Sequence, residues 1–242
     1  MAFAPKTDYC GLAAIDANIL VRDDAENTSQ EKYQPTGQNG GYCDLEVYGE
    51  DAAPTNSYAI KVDIDLDAGD IKLNSIVTVG QDENARKFAL ESIEIGTSGG
   101  SAPTLSATSQ RVESDADAAA ACYAEVPALK LSKRHHAQIL FDAFTLSGER
   151  CELTTCKATV GGTVGKDKLA GDTIGSDLNS ASIKVSGTVL QIGSAVPTIT
   201  PAQGWTLTQK PTCTNPETAK KEYSFELEMN LPIIDPSEDS AT

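Results

Sequence analysis

Apolar and polar residues alternate with a period of two through most of this chain. The pattern is clear in Tyr58-Ala-Ile60-Lys-Val62-Asp-Ile64-Asp-Leu66 and in Ile71-Lys-Leu73-Asn-Ser-Ile76-Val-Thr-Val79. It returns in Ser182-Ile-Lys-Val-Ser-Gly-Thr-Val-Leu-Gln-Ile192 and in Tyr223-Ser-Phe225-Glu-Leu227-Glu-Met229. Successive strand side chains point to opposite faces, so this spacing specifies half-buried strands in antiparallel sheets with one dry and one wet face. Asn39-Gly40-Gly41, Ala68-Gly69-Asp70, Gly161-Gly162 and Pro201-Ala-Gln-Gly204 supply turn chemistry between them. Helix is scarce. Ser114 to Val126 is the best candidate, with a capping serine, early aspartates, an alanine run and Pro127 as a stop. Asp82 to Leu90 and Pro216 to Lys221 are weaker candidates, and His136 to Phe144 suits helix or strand. The expected fold is mainly β: two tandem antiparallel β-sandwich or barrel domains, with one short helix each and long loops.

The two-domain expectation comes from echoes within the chain. Ala17-Asn18-Ile19-Leu20 returns as Ala137-Gln138-Ile139-Leu140, and Cys43-Asp44-Leu45 as Cys151-Glu152-Leu153. Asn56-Ser57-x-x-Ile60-Lys61-Val62 returns as Asn179-Ser180-x-x-Ile183-Lys184-Val185. Glu83-x-Ala85-Arg86-Lys87 returns as Glu217-x-Ala219-Lys220-Lys221. Each echo is short, and their shared order is what carries weight as an internal repeat. The reading divides the chain into an arm at 1–16, a first β copy at 17–96, a linker with the alanine-rich helix at 97–136, a second β copy at 137–232, and an acidic tail at 233–242. Two long polar stretches, Asp23–Gln38 and Gly161–Asn179, sit at corresponding places and read as loops fit to grip a neighbouring subunit.

Composition narrows the function. The 242 residues carry 35 acidic and 19 basic side chains, a formal net charge of −16. That sign opposes a groove wrapping nucleic acid and docking on an anionic membrane. It suits a soluble surface, or a passage through which a polyanion slides without sticking. The start, Met1-Ala2-Phe3-Ala4-Pro5-Lys6, lacks a signal peptide's basic start and apolar core, and no run approaches the ~18 apolar residues of a membrane span. The expected location is a cytoplasm, or an assembly made there. The six cysteines, with no C-x-x-C pair and only two histidines, are expected as reduced apolar filler, with no disulfide framework or zinc site.

Each chemical motif has a plainer alternative. His135 and His136 adjoin Arg134 in the most basic spot of the chain. Neighbours on a strand point apart, so they make a poor metal pair, and a solvated patch contacting another subunit is the better reading. Gly161-Gly162-Thr163-Val164-Gly165-Lys166-Asp167 mimics a phosphate loop, but Asp167 stands where a magnesium-binding hydroxyl is needed, so it reads as a hairpin tip. Asp63, Asp65 and Asp67 resemble a calcium loop, with the glycine one place late and Asn74 where a bidentate acid belongs. An acidic strand face fits them better, and in a tubular assembly it would face the lumen. Trp205, the only tryptophan, is expected as a core or subunit-contact anchor. No catalytic residue, cofactor site or metal site is expected.

Collinear echoes, β alternation, acidity and the lack of a catalytic constellation together give an architectural resemblance to bacteriophage tail tube proteins with a duplicated tube domain. The resemblance implies a virion structural protein that self-associates. It implies trimeric rings of pseudo-sixfold symmetry, stacked around an acidic lumen for DNA, in contact with other virion proteins and without sequence-specific nucleic-acid binding. The alternatives are a head decoration, a baseplate component, or a host- or glycan-binding surface module.

Overall fold

The alternating runs pair into strands in the computed structural model, which describes residues 8–17, 19–33, 46–60, 65–79, 86–98, 103–112, 121–130, 141–169, 172–214, 216 and 220–236. In chain order they are β1 (Ile19–Tyr33), β2 (Glu46–Ile60), β3 (Asp65–Leu66), β4 (Lys72–Leu73) and β5 (Ile76–Val79). Next come β6 (Arg86–Ser98), β7 (Thr104–Val112), β8 (Ala124–Glu125), β9 (Leu129–Lys130) and β10 (Phe144–Ser147). The last are β11 (Cys151–Leu169), β12 (Asp172–Gln191), β13 (Thr198–Pro201), β14 (Thr206–Cys213) and β15 (Lys221–Asn230). The fold is mainly β, and among the described residues every strand pairing is antiparallel.

One nine-stranded sheet runs β1-β2-β7-β6-β11-β12-β15-β14, with β5 beside the start of β6 on the edge that β11 takes further along. Three two-stranded ribbons, β3–β9, β4–β8 and β10–β13, accompany it. The period-two pattern decides which face is dry. Ile93 and Ile95 of β6, Leu105 and Ala107 of β7, Ala158 and Val160 of β11, Ile183 and Val185 of β12, and Phe225 and Leu227 of β15 are all buried. The ribbons and their flanks close over that face with Leu66, Leu73, Val126, Leu129, Phe144, Ile199 and Trp205, all within one core cluster. Phe144 meets Phe225 edge to face at 5.0 Å, which fixes the β10 ribbon against β15.

The helix expectations are corrected wherever the residues are described. Residues 86–90 belong to β6, 124–125 form β8 and Lys221 opens β15, while 82–85, 114–120, 136–140 and 217–219 lie outside the described residues. A short helix must bear a costly nucleus, and these segments instead gain sheet pairing and core burial, as Phe88 and Leu90 do. Among the described residues the one helical element is a 3₁₀ turn, Leu12–Ala14. Both expected long loops are corrected too. Residues 23–33 lie in β1, and 161–169 and 172–179 lie in β11 and β12, because pairing across a hairpin satisfies their backbone groups. The glycine cluster at 161–165 is a kink within β11, not a tip. A register shift falls at Thr163/Val164, and a Cβ on Gly162 would collide with the Leu178 side chain and lie 2.6 Å from the Ser180 carbonyl oxygen.

The strand order itself repeats. A hairpin, β1–β2, is followed in space by the later strands in reversed order, β7 then β6. The hairpin β11–β12 is likewise followed by β15 then β14. The echoed segments at Asn56 and Asn179 fall on β2 and β12, which are equivalent in this order. The Arg86-Lys87 and Lys220-Lys221 echoes do not map this way, since they lead into β6 and β15, which run in opposite directions. Across the join β6 pairs with β11, so the sheet passes without a break from 17–96 to 137–232, and β7, within 97–136, is one of its inner strands.

Candidate interaction surface

Register places the wet-face side chains in continuous rows. One row crosses seven strands: Ser57, Ser106, Glu94, Thr159, Lys184, Glu228, Thr206. The next runs Thr55, Thr108, Ser92, Gly161, Ser182, Asn230. On the other side lie Thr104, Gly96, Lys157, Ser186 and Glu226. Hydroxyls and glycines dominate, and most of the charges pair locally. Lys157 lies 2.7 Å from Glu94, Lys184 lies 3.7 Å from Glu228, and the Thr208 hydroxyl donates to Glu226 Oε1 at 3.2 Å. Both ion pairs are half exposed, so each adds only a few tenths of a kcal/mol and acts mainly to cancel charge. A depression of about 430 Å³ lies here, lined by Thr159, Gly161, Thr163, Ser180, Ser182 and the Lys184–Glu228 pair. Small side chains make the hollow.

The two long hairpins leave this sheet together. Antiparallel pairing at every step makes β1 and β11 run in the same direction, so both project from one end. Ala25 shares a row with Gly161 through Thr55, Thr108 and Ser92. From that row β1 continues eight residues to Tyr33 and β11 eight to Leu169, a reach of about 26 Å each.

Polar groups inside the core are structural. The Asp8 carboxylate accepts from the Gly11 and Ala13 backbone amides at 3.0 and 2.8 Å, from Asn56 Nδ2 at 3.1 Å and from the Tyr58 hydroxyl at 2.5 Å. This clamps the 3₁₀ turn onto β2. Burial, then the Asp8 hydrogen bond, pushes the Tyr58 phenol far above its ordinary value, so it remains a donor. A second node joins the two halves. Asn74 Nδ2 donates to the carbonyls of Cys122 at 2.9 Å and Ser176 at 3.2 Å, while the Ser176 hydroxyl donates to Asn74 Oδ1 at 2.9 Å. Asn74 sits at φ 60°, a left-handed geometry asparagine tolerates better than most residues.

Asp63 and the basic patch Arg134, His135 and His136 lie outside the described residues. Asp65 is in β3, paired with Lys130 of β9, away from the large sheet. Asp67 is exposed in the turn after β3, its amide donating to Asp70 Oδ2 at 2.7 Å. Trp205 is buried in the core cluster, its amide closing a turn onto the Ala202 carbonyl. Cys10, Cys122, Cys151, Cys156 and Cys213 are thiols outside any disulfide. Burial pushes Cys10 up to about 11 and Cys156 up to about 12, which keeps both protonated and poor as nucleophiles. Among the described residues no group of three His, Cys, Asp or Glu side chains could hold a metal ion, and no helix is long and apolar enough to cross a membrane. The hydroxyl rows were readable as alternate Ser and Thr in the strand runs, but their union into one face depends on strand order.

No protein-family model matches this chain, and no curated protein matches its sequence.

Proposed function

We propose that this chain is a non-enzymatic virion structural protein, a bacteriophage tail tube subunit that self-assembles into stacked rings around a conduit for DNA. The observation that carries the reading is the repeated strand order. Its internal junction, β6 against β11, joins the last-placed strand of one unit to the first-placed strand of the next. The same rule applied between copies sets β14 of one chain against β1 of another, and a head-to-tail contact of that kind closes into a ring. Closure also removes two exposed sheet edges, which otherwise invite uncontrolled pairing.

Register supports a barrel-like closure. The hydrogen-bonded row through Asn56 passes Ala107, Ile93 and Val160 and arrives at Ile183, four residues beyond the sequence counterpart Asn179. That stagger accrues over four strand steps. One residue per strand is the shear of a barrel tilted by about 36°. Three copies would supply roughly 24 strands, which at ~4.8 Å spacing and that tilt form a ring about 45 Å across, backbone to backbone. The wet face would line the bore. Glu94, Glu226 and Glu228 against Lys157 and Lys184 leave those rows slightly acidic, so phosphates find little to grip.

Negative-stain microscopy of the concentrated chain tests this: rings or tubes are expected, and a monomer that persists at high concentration overturns the reading. A second reading, a glycan- or host-binding surface module, draws on the hydroxyl-lined depression beside Lys184 and Glu228. Saturable binding on a glycan array by a monomeric chain would favour it.

A further inference from the structure

The ladder between β12 and β15 runs from Ser182 with Asn230 to Gln191 with Lys221 without a register shift. A strand that regular, left open on its other side, invites another chain to pair with it. β14 occupies that side, and among the described residues β15 is its only ladder partner. None of the eight side chains of β14 is buried, whereas Tyr223, Phe225 and Leu227 of β15 are. The strand covers an edge and adds little to the core.

β14 does not repeat the regularity of the strand it covers. Register shifts fall at Leu207/Gln209 and at Gln209/Thr212, each with an extra residue on β14. Such bulges break the even spacing of the outward N–H and C=O groups and increase the local twist. Inside the second shift Pro211 has no N–H to offer, and the Lys210 carbonyl accepts from the Thr212 hydroxyl at 2.9 Å. Thr208 and Gln209 turn back onto β15, donating to the Glu226 carbonyl and the Ser224 hydroxyl, each at 3.1 Å. Lys210 is exposed and is the only charged residue of the strand.

From these observations we infer that β14 is a guard strand, in which Lys210-Pro211 bars a second β14, or any regular strand, from adding to this edge of the sheet. Resting on the head-to-tail contact proposed above, the guard admits β1 of another copy. β1 has its own extra residue, Arg22, at the Val21/Asp23 shift, and its four acids outnumber Arg22 and Lys32. It meets the lone lysine with opposite charge, where a second β14 brings a like one.

The variant K210T/P211V removes the charge and restores an N–H at positions that are exposed and half-buried, respectively. Full chains of the variant and of the native sequence are compared by sedimentation, thioflavin T fluorescence and thermal unfolding. The variant is expected to melt close to the native chain yet associate about tenfold more strongly, into open-ended, thioflavin-positive species. Adding T208P should reverse the gain, since proline is tolerated at a bulge and blunts the same edge again. Unchanged association, or a gain that T208P leaves in place, overturns the inference. Should the double variant not unfold cooperatively, P211A, which restores only the N–H, decides on the same readouts. A native chain that stays monomeric overturns the head-to-tail contact alone, and the guard then stands or falls on whether the variant leaves the monomer. Rings formed equally by both chains overturn the guard alone.

Discussion

Replacing Asn74 by glycine removes the node that fastens the β11–β12 hairpin to the first half without straining the backbone. The side chain is 1% exposed and takes part in three hydrogen bonds, with the Cys122 carbonyl and with the Ser176 carbonyl and hydroxyl. Each such bond contributes about 1 kcal/mol net, and the two carbonyls left without a side-chain donor keep part of their desolvation cost, so the expected loss is about 3 kcal/mol. In a domain of this size that lowers Tm by roughly 6–12 °C. N74A should be worse by about 1 kcal/mol, since alanine must hold the left-handed φ of 60° that glycine adopts freely. S176A deletes only the hydroxyl bond, and its loss should be about 1 kcal/mol. In the N74G/S176A double variant the losses should fall short of additivity by a similar amount. Urea unfolding monitored by Trp205 fluorescence and far-UV circular dichroism gives all four values. An N74G loss under 1 kcal/mol, or N74A more stable than N74G, would refute the reasoning.

Other outcomes follow from the same contacts. Y58F keeps the ring but deletes the bond the hydroxyl donates to Asp8 and the one it accepts from Asn56 Nδ2 at 3.1 Å; a loss of about 2–3 kcal/mol is expected by urea unfolding, held down because Asp8 is only half-buried. G162A places a Cβ against Leu178 and the Ser180 carbonyl at the kink; it should cost about 1–3 kcal/mol, and a neutral result would remove the steric role of that glycine. Alkaline stability is set partly by the buried thiols. Their folded values are raised from 9.0 to about 11 for Cys10 and about 12 for Cys156, so the stabilisation is complete below pH 9 and is lost as pH rises through 9 to 12. The slope from each reaches at most ~1.4 kcal/mol per pH unit. The C156A variant should lose its share of that slope in urea midpoints taken from pH 8 to 11, and an unchanged slope would contradict it.

The period-two runs carried most of the fold. Tyr223 to Met229 reads as a strand with Phe225 and Leu227 inward, and it is one. The misread segments were those where local chemistry spoke against the sheet. Asp82 to Leu90 has the charges of a helix start, yet Phe88 and Leu90 are claimed by the core, and that demand is visible only once β5 and β7 lie alongside. Asp23 to Tyr33 and Gly161 to Leu169 look like loops because few of their side chains need burial. A hairpin arm has little core to fill, so its strand nature resides in backbone pairing that composition does not report. Trp205 was expected as a core or subunit-contact anchor, and folding places it in the core.

By itself the sequence determined that the chain is a β protein, which residues of each strand face inward, and that its surface is acidic, because alternation and charge are local properties. Tertiary structure decided the order of the strands. That order unites β6 with β11 in one sheet, assembles scattered serines and threonines into a seven-strand hydroxyl face, and points two hairpins of equal reach from the same end. Pairing partners lie as far apart in the chain as Ser92 and Gly161, and many orders satisfy the same alternation. Only the simultaneous packing of the dry faces and the closure of buried groups such as Asn74 with Ser176 selects among them.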